Sequence, residues 1–241
     1  AVKDLIYKTT DGGGAWTVVF EETRGQALTY LFLDPRNTGR LYTTTGQDLI
    51  VSNDYGHTWA IQETFKKEID VFAMHPAIGS QLVATLKNGD LFFSRDSGET
   101  FAEAIAPERK EIKTTILPND INHIVMLASD PNAIYATDKS LGLIKSPDFG
   151  GTWEVIPTLL NETSIGIQTL SVNDKNPDEL YFAVGNIIHR SLNGGATWTT
   201  IDDFPSKQNI TVLLVDPNNT GVVYAGLQVP PKKTNPYFPY L

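Results

Sequence analysis

Apolar residues along this chain come in short runs broken by tight polar turns. Leu33-Asp34-Pro35-Arg36-Asn37-Thr38-Gly39-Arg40-Leu41-Tyr42 and Val215-Asp216-Pro217-Asn218-Asn219-Thr220-Gly221-Val222-Val223-Tyr224 align without a gap, and each reads as apolar strand, turn, apolar strand. The segments from Met74 to Val83, from Ile116 to Val125 and from Val172 to Tyr181 fit the same pattern. Gly (19) and Pro (14) recur about every seven residues, and only the window from His57 to His75 runs longer than twelve residues without either. That window holds a polar stretch, Glu63 to Glu68, between two short apolar runs, so it too predicts strand, turn, strand. Such punctuation leaves no room for long helices and predicts an all-β chain.

A second pattern interleaves with the first. Five octapeptides place Ser or Thr first, Asp or Asn third, Gly fifth and an aromatic residue last. They run from Thr9 to Trp16, Ser52 to Trp59, Ser94 to Phe101, Ser146 to Trp153 and Ser191 to Trp198. Their third residues, Asp11, Asp54, Asp96, Asp148 and Asn193, are 43, 42, 52 and 45 residues apart, the spacing of one four-stranded propeller blade. From each strand-turn-strand segment to the next octapeptide the offset is 20 or 21 residues, except that Leu117 to Asp148 spans 31. This predicts an insertion of about ten residues around Asp130 to Lys139.

The residue types suit a hairpin between antiparallel strands. The Asp or Asn oxygen can accept from turn N–H groups, the Ser or Thr hydroxyl can close the loop, and Gly can take a positive φ. The last residue of each octapeptide, Trp16, Trp59, Phe101, Trp153 or Trp198, is expected to bury its ring against the sheet or an adjacent blade. A catalytic role for these aspartates is disfavoured, because five equivalent copies cannot share one active centre. Each copy also offers a single carboxylate, where a calcium loop needs several.

These octapeptides resemble the Asp-box, or BNR, repeats of β-propellers such as sialidases, xyloglucanases, sortilin-type receptors and photosystem II assembly factors. The resemblance runs from Leu5 to about Gln228. It implies a propeller of four-stranded antiparallel blades, strands A to D from the axis outward, with the boxes on peripheral C–D hairpins and the Asp-Pro-type turns joining A to B. The chain opens on a C strand at Leu5 to Lys8 and closes on a B strand ending at Leu227. Residues 1–228 are therefore expected to form five blades, one of them shared by both chain ends. The alternative is the C-terminal part of a seven-bladed propeller. Residues 229–241, rich in Pro and aromatic residues, predict an extended tail.

Charge and composition narrow the function. Nineteen basic against 28 acidic residues give a net charge of −9, which repels a polyphosphate backbone and makes nucleic acid an unfavourable partner. With no Cys there is no disulfide, thiol nucleophile or thiolate metal site, and the four His residues show no ligand spacing, so neither metal nor cofactor is expected. No apolar run is long enough to span a bilayer. The chain begins at Ala1, which raises the expectation of a removed signal or anchor and an extracytoplasmic, lipoprotein-like location.

With the boxes on one face, the D–A and B–C loops on the other are the place to look for binding. Their cations, Arg24, Lys66, Lys67, Arg109, Lys110 and Lys139, are the candidate contacts for a protein partner. Aligned A strands place Thr29, Asp70, Gln168 and Thr211 in one column, with Ile112 in the remaining blade. This column is expected to line an axial channel. Only Asp70 is ionisable there, and glycoside hydrolysis usually needs two carboxylates. The six arginines, Arg24, Arg36, Arg40, Arg95, Arg109 and Arg190, include no Arg-Ile-Pro motif of the kind sialidases use. The expectation is a non-enzymatic scaffold that binds a protein, with a carbohydrate-binding or glycoside-hydrolysing propeller as the alternative.

Overall fold

A computed structural model describes residues 4–104, 118–160, 166–219 and 221–228 of the chain. The protein is an all-β propeller of four-stranded antiparallel blades. Four complete blades are present among the described residues. They are β3–β6 (Leu28–Leu33, Leu41–Thr45, Asp48–Ser52, Ala60–Thr64) and β7–β10 (Ile69–Met74, Leu82–Leu86, Leu91–Ser94, Ala102–Glu103). The other two are β11–β14 (Ile121–Leu127, Asp130–Asp138, Gly142–Ser146, Glu154–Val155) and β15–β18 (Thr169–Val172, Leu180–Val184, Ile187–Ser191, Thr199–Ile201). Two strand pairs, β1–β2 (Leu5–Lys8, Thr17–Glu21) and β19–β20 (Asn209–Val215, Val223–Gln228), each stand as a two-stranded sheet. The chain divides into two compact units, Ala1–Ile156 and Pro157–Leu241, so the two strand pairs expected to share a blade lie in different units. The tail, 229–241, lies outside the described residues.

The octapeptides form the hairpins their residue types imply. Ser52 Oγ donates to Asp54 Oδ1 (2.9 Å) and accepts from Gly56 N (2.8 Å), while Asp54 Oδ1 accepts from Thr58 N (2.8 Å). Boxes Ser94–Phe101 and Ser146–Trp153 repeat this geometry. In the fifth, Asn193 Oδ1 accepts from Thr197 N and its Nδ2 donates to Thr197 Oγ1, both at 2.9 Å, so an amide fills the same role without a charge. The hydroxyl of Thr58 or Thr100, followed by the backbone N–H of the same residue, holds the carboxyl of Asp54 or Asp96 down at about 2.

The fifth-position glycine is sterically required in at least one box. Gly150 has φ +91, and a Cβ there would lie 2.0 Å from Phe93 Cζ. The residue before it, Phe149, is also left-handed (φ 58), as are Tyr55 and Ser97 in their boxes. In the first unit, a cation from the preceding strand pair or blade grips the carbonyl of, or next to, each of these residues. Lys8 Nζ donates to Tyr55 O (2.8 Å), Arg40 to Ser97 O (3.0 Å) and Arg95 to Asp148 O (3.4 Å), with the Arg95 guanidinium 4.4 Å from the Phe149 ring. These contacts tie the box hairpins together.

Box aromatics pack as expected with one exception. Trp59 meets Phe20 (5.4 Å between centroids), Phe101 meets Phe65 (5.1 Å), Trp153 joins a core with Val83, Ile134 and Ile144, and Trp198 packs edge-on to Phe182. Trp16 instead stays 59% exposed, because no described residue supplies the ring or sheet face that its counterparts meet. Inter-blade burial follows the same logic. Phe72 on β7 is 2% exposed beneath the preceding blade, while Leu31, at the matching position of β3, is 54% exposed.

The third blade corrects the sequence reading. The segment from Ile116 to Val125 is not its A–B hairpin. Strand A is Ile121–Leu127, the turn is Ala128-Ser129, and strand B begins at Asp130. Asp130–Asp138 is thus a strand and not an inserted loop, and the extra residues fall in the D–A connection between Ala104 and Ile121, most of which lies outside the described residues. Leu117-Pro118-Asn119 mimicked the Asp-Pro turn, whereas the true turn carries neither Pro nor Gly.

Candidate binding face

Because strands alternate in direction, the boxes and A–B turns leave one end of each blade, and the B–C and D–A connections leave the other. In the first unit that second end is organised by a repeated irregularity in strand A. Leu28 pairs with Thr45 and Tyr30 with Thr44, leaving Thr29 in a bulge. Ile69 pairs with Leu86 and Val71 with Thr85, leaving Asp70, and Ile121 pairs with Asp138 and His123 with Thr137, leaving Asn122. In the second unit Thr211 sits at the same kind of bulge between Ile210 and Val212, and Gln168 directly precedes β15 with its N–H on Ala183 O.

Of the residues expected to share one strand-A position, Thr29, Asp70 and Thr211 are bulged and Gln168 is not, and the third blade's bulged residue is Asn122. Ile112 was placed there only through the misread third blade, and it lies outside the described residues. An apolar residue precedes each of these positions: Ile69, Ile121, Ile167 and Ile210 are buried, and Leu28 is half-buried. A bulge adds a residue to one strand and re-aims its side chain, here a hydrogen-bonding one every time. B-strand hydroxyls support the irregular backbone. Thr85 Oγ1 accepts from Val71 N (3.1 Å), and Thr137 Oγ1 donates to Asn122 Oδ1 (2.7 Å). Tyr30 reaches across to the next blade, its hydroxyl donating to Asp70 O (3.0 Å).

Charges around these bulges are mostly paired. Arg24 bridges buried Glu22 (2.9 Å) and buried Asp48, whose other oxygen accepts from Thr64 Oγ1 (2.6 Å). Burial pushes the Glu22 carboxyl up, but donation from Gln26 N and from Arg24 outweighs it and holds the group below its ordinary range. Lys87 pairs with Glu68, and Lys139 with Asp120 (2.6 Å). Both lysines are raised, first by the hydrogen bond to that carboxylate, and the charge of Asp70 acts on each as well. Asp138 is consumed by backbone, accepting from Asn119, Asp120, Ser140 and Leu141 N–H groups at 2.8–3.1 Å.

Of the six predicted contact cations, Arg24 and Lys139 are thus tied into ion pairs. Lys66 and Lys67 are exposed and carry no ion pair among the described residues. Arg109 and Lys110 lie outside them. The exposed Lys87–Glu68 and Lys139–Asp120 pairs each contribute about 0–1 kcal/mol, so they shape the surface more than they stabilise it. Among the described residues no three His, Cys, Asp or Glu side chains gather in a metal-binding arrangement, and no helix is long and apolar enough to cross a membrane.

With boxes, blades and bulges in view, comparison with known proteins supplies the family. The profile described as sortilin, neurotensin receptor 3 (Sortilin-Vps10) matches residues 47–176, more than half of the chain. The chain belongs to the Sortilin-Vps10 family. No curated protein sequence matches it. Among solved structures, this Sortilin-Vps10 chain is similar to an ancestral GH74 enzyme, with a TM-score of 0.65 at 18% identity over 89% of this chain. It spans 30% of that enzyme's length. It is also similar to YCF48 from Cyanidioschyzon merolae, with a TM-score of 0.62 at 16% identity over 88% of this chain and 71% of the other. YCF48 bound to D1 peptide gives a TM-score of 0.56 at 13% identity, over 84% and 60%. At these identities the likeness is one of fold.

Proposed function

We propose that the protein is a non-enzymatic propeller scaffold that binds a protein partner through the B–C/D–A end of its blades. The observation that carries this reading is the contrast between the two ends of the first unit. At the box end, Lys8, Arg36, Arg40 and Arg95 are spent on backbone carbonyls of neighbouring strands and turns. At the other end, Lys66, Lys67 and the bulged Thr29 and Asp70 present exposed polar groups. A structure of YCF48 with a D1 peptide supports the capacity of this fold to hold a peptide. The GH74 likeness keeps glycoside hydrolysis as the competing reading, but among the four bulged residues Thr29, Asp70, Asn122 and Thr211 only Asp70 is a carboxylate, and hydrolysis with two carboxylates lacks its second member there.

The test is face-selective photo-crosslinking. A photoreactive residue replaces Lys67 in one variant and Asn53, exposed in a box, in another, and both are irradiated in an extract of the cells that make the protein. Protein adducts from position 67 and not from 53 are expected. Equal adducts from both, or adducts from 53 only, overturn the assignment of the face. Turnover of β-glucan or sialoside that is abolished by Asp70→Ala would replace the scaffold with an enzyme.

A further inference from the structure

We propose that the bulged line Thr29–Asp70–Asn122 of the first unit reads a basic side chain, lysine or arginine, on an extended segment of the partner. This rests on the scaffold reading and gives the partner its chemistry. The three residues occupy one structural position in three consecutive blades, so they form a set by construction of the fold and not by coincidence of sequence. Asp70 is the charged member. Its backbone is held by the Tyr30 hydroxyl, but its carboxylate accepts no hydrogen bond among the described residues. Other acids at this end of blades β3–β14 are engaged, Glu63 by Thr64 N and Asp90 by Asn88 Nδ2 among them. Glu22 and Asp48 hold Arg24, Glu68 holds Lys87, Asp120 holds Lys139, and Asp138 holds four backbone N–H groups.

Lys87 and Lys139, whose charges Asp70 feels, are each already offset by a closer carboxylate. Among the described residues the Asp70 carboxylate therefore has neither an ion pair nor a hydrogen bond, and it is flanked along the line by a hydroxyl and an amide. An acidic partner side chain would be repelled there, and an apolar one would strip water from Asp70 without compensation. A lysine or arginine supplies a counter-charge, and the exposed Thr29 hydroxyl can hydrogen-bond a polar atom beside it.

The experiment uses the full chain, 15N-labelled, titrated with blocked pentapeptides Ac-Gly-Gly-X-Gly-Gly-NH2 in which X is Lys, Arg, norleucine or Glu, and separately with spermidine. The Lys and Arg peptides are expected to shift the amides of residues 29, 70 and 122 and their neighbours saturably. The norleucine and Glu peptides should bind about five-fold more weakly, the upper end for one exposed charge pair. Asp70→Asn should lower Lys-peptide affinity by the same factor, and Asp90→Asn should not. Shifts scattered over acidic surface, or an Asp70→Asn variant that binds as the parent does, overturn the proposal. So does spermidine binding as tightly as the Lys peptide, which would mark a site for free polycations. If position 67 still crosslinks its partner undiminished in the Asp70→Asn background, the basic-residue inference fails while the face assignment stands. An Asp70→Asn chain with an unchanged melting temperature excludes misfolding as the cause of any loss.

Discussion

Replacing Glu179 with alanine removes the anion at the centre of a polar knot in the second unit. Glu179 is 1% exposed and accepts from Asn173 Nδ2 (2.9 Å), Tyr181 OH (2.8 Å) and Arg190 NH2 (2.8 Å). Burial raises its carboxyl, but the donors, led by Asn173 and Arg190, more than reverse this and hold it below the usual range. Tyr181 is pushed up to about 12, by burial and then by donating to Glu179. Breaking a buried ion pair costs about 3–5 kcal/mol. The Arg190 side chain is 36% exposed and can recover water, which moves the expectation to the low end, about 3 kcal/mol. Part of that is the cost of leaving Asn173 and Tyr181, both buried, without their acceptor. Glu179→Gln keeps an acceptor oxygen and loses the charge, so about 1.5 kcal/mol is expected. Urea denaturation gives the free energies, and amide exchange over β16 and β17 shows whether the loss is local to this knot. For a chain of this size about 3 kcal/mol corresponds to a fall in Tm of roughly 6–12 °C. Since the folded carboxyl is depressed, its contribution is present above its ordinary pKa and lost as pH falls through the folded value. Glu179→Ala should therefore be less acid-sensitive than the parent below about pH 4.5. A loss under about 1 kcal/mol for alanine, or glutamine costing as much as alanine, would refute the reasoning.

Gly150→Ala should cost about 2–4 kcal/mol by thermal or urea unfolding, since it forces a Cβ against Phe93 at a left-handed backbone position. Gly12→Ala, left-handed (φ +72) but with nothing within 4 Å, should cost only about 1 kcal/mol. Phe72→Ala should cost about 3–5 kcal/mol and Leu31→Ala under about 1, although the repeat places them at equivalent positions, because only Phe72 is covered. Box carboxylates at about 2 stabilise the fold above the ordinary Asp pKa of 3.8 and lose that contribution as pH falls from about 4 to about 2. Asp54→Asn with Asp96→Asn should flatten the stability profile over that window in urea denaturation. An unchanged slope would mean that other groups govern acid unfolding.

Much of the fold was legible because Asp-box hairpins are local. Hydroxyl, carboxylate, glycine and aromatic lie within eight residues, and their hydrogen bonds form inside the turn. The blade period followed from repeating that unit. The third blade was misread where a second Pro-containing segment imitated a turn, and the true two-residue turn at Ala128-Ser129 carries no turn signature. Alignment put Thr29, Asp70, Gln168 and Thr211 at one position of strand A, where the first, second and fourth lie in bulges, and it missed Asn122 with the third blade. A shift of strand register by ten residues changes which side chain enters the bulge.

The chain alone specified an all-β propeller, its box hairpins and its overall negative charge, since each depends on residue type and short-range spacing. Tertiary structure decided which polar residues are free. Arg24 meets Asp48 from 24 residues away and Lys139 meets Asp120 from 19, while Lys66, Lys67 and Asp70 meet no ion-pair partner among the described residues. It also decided that Phe72 is buried and Leu31 is not, and that one residue in each of β3, β7, β11 and β19 is lifted out of the ladder. Pairing, burial and bulging depend on which strands lie side by side, and residues distant in sequence supply that contact only after the blades have assembled.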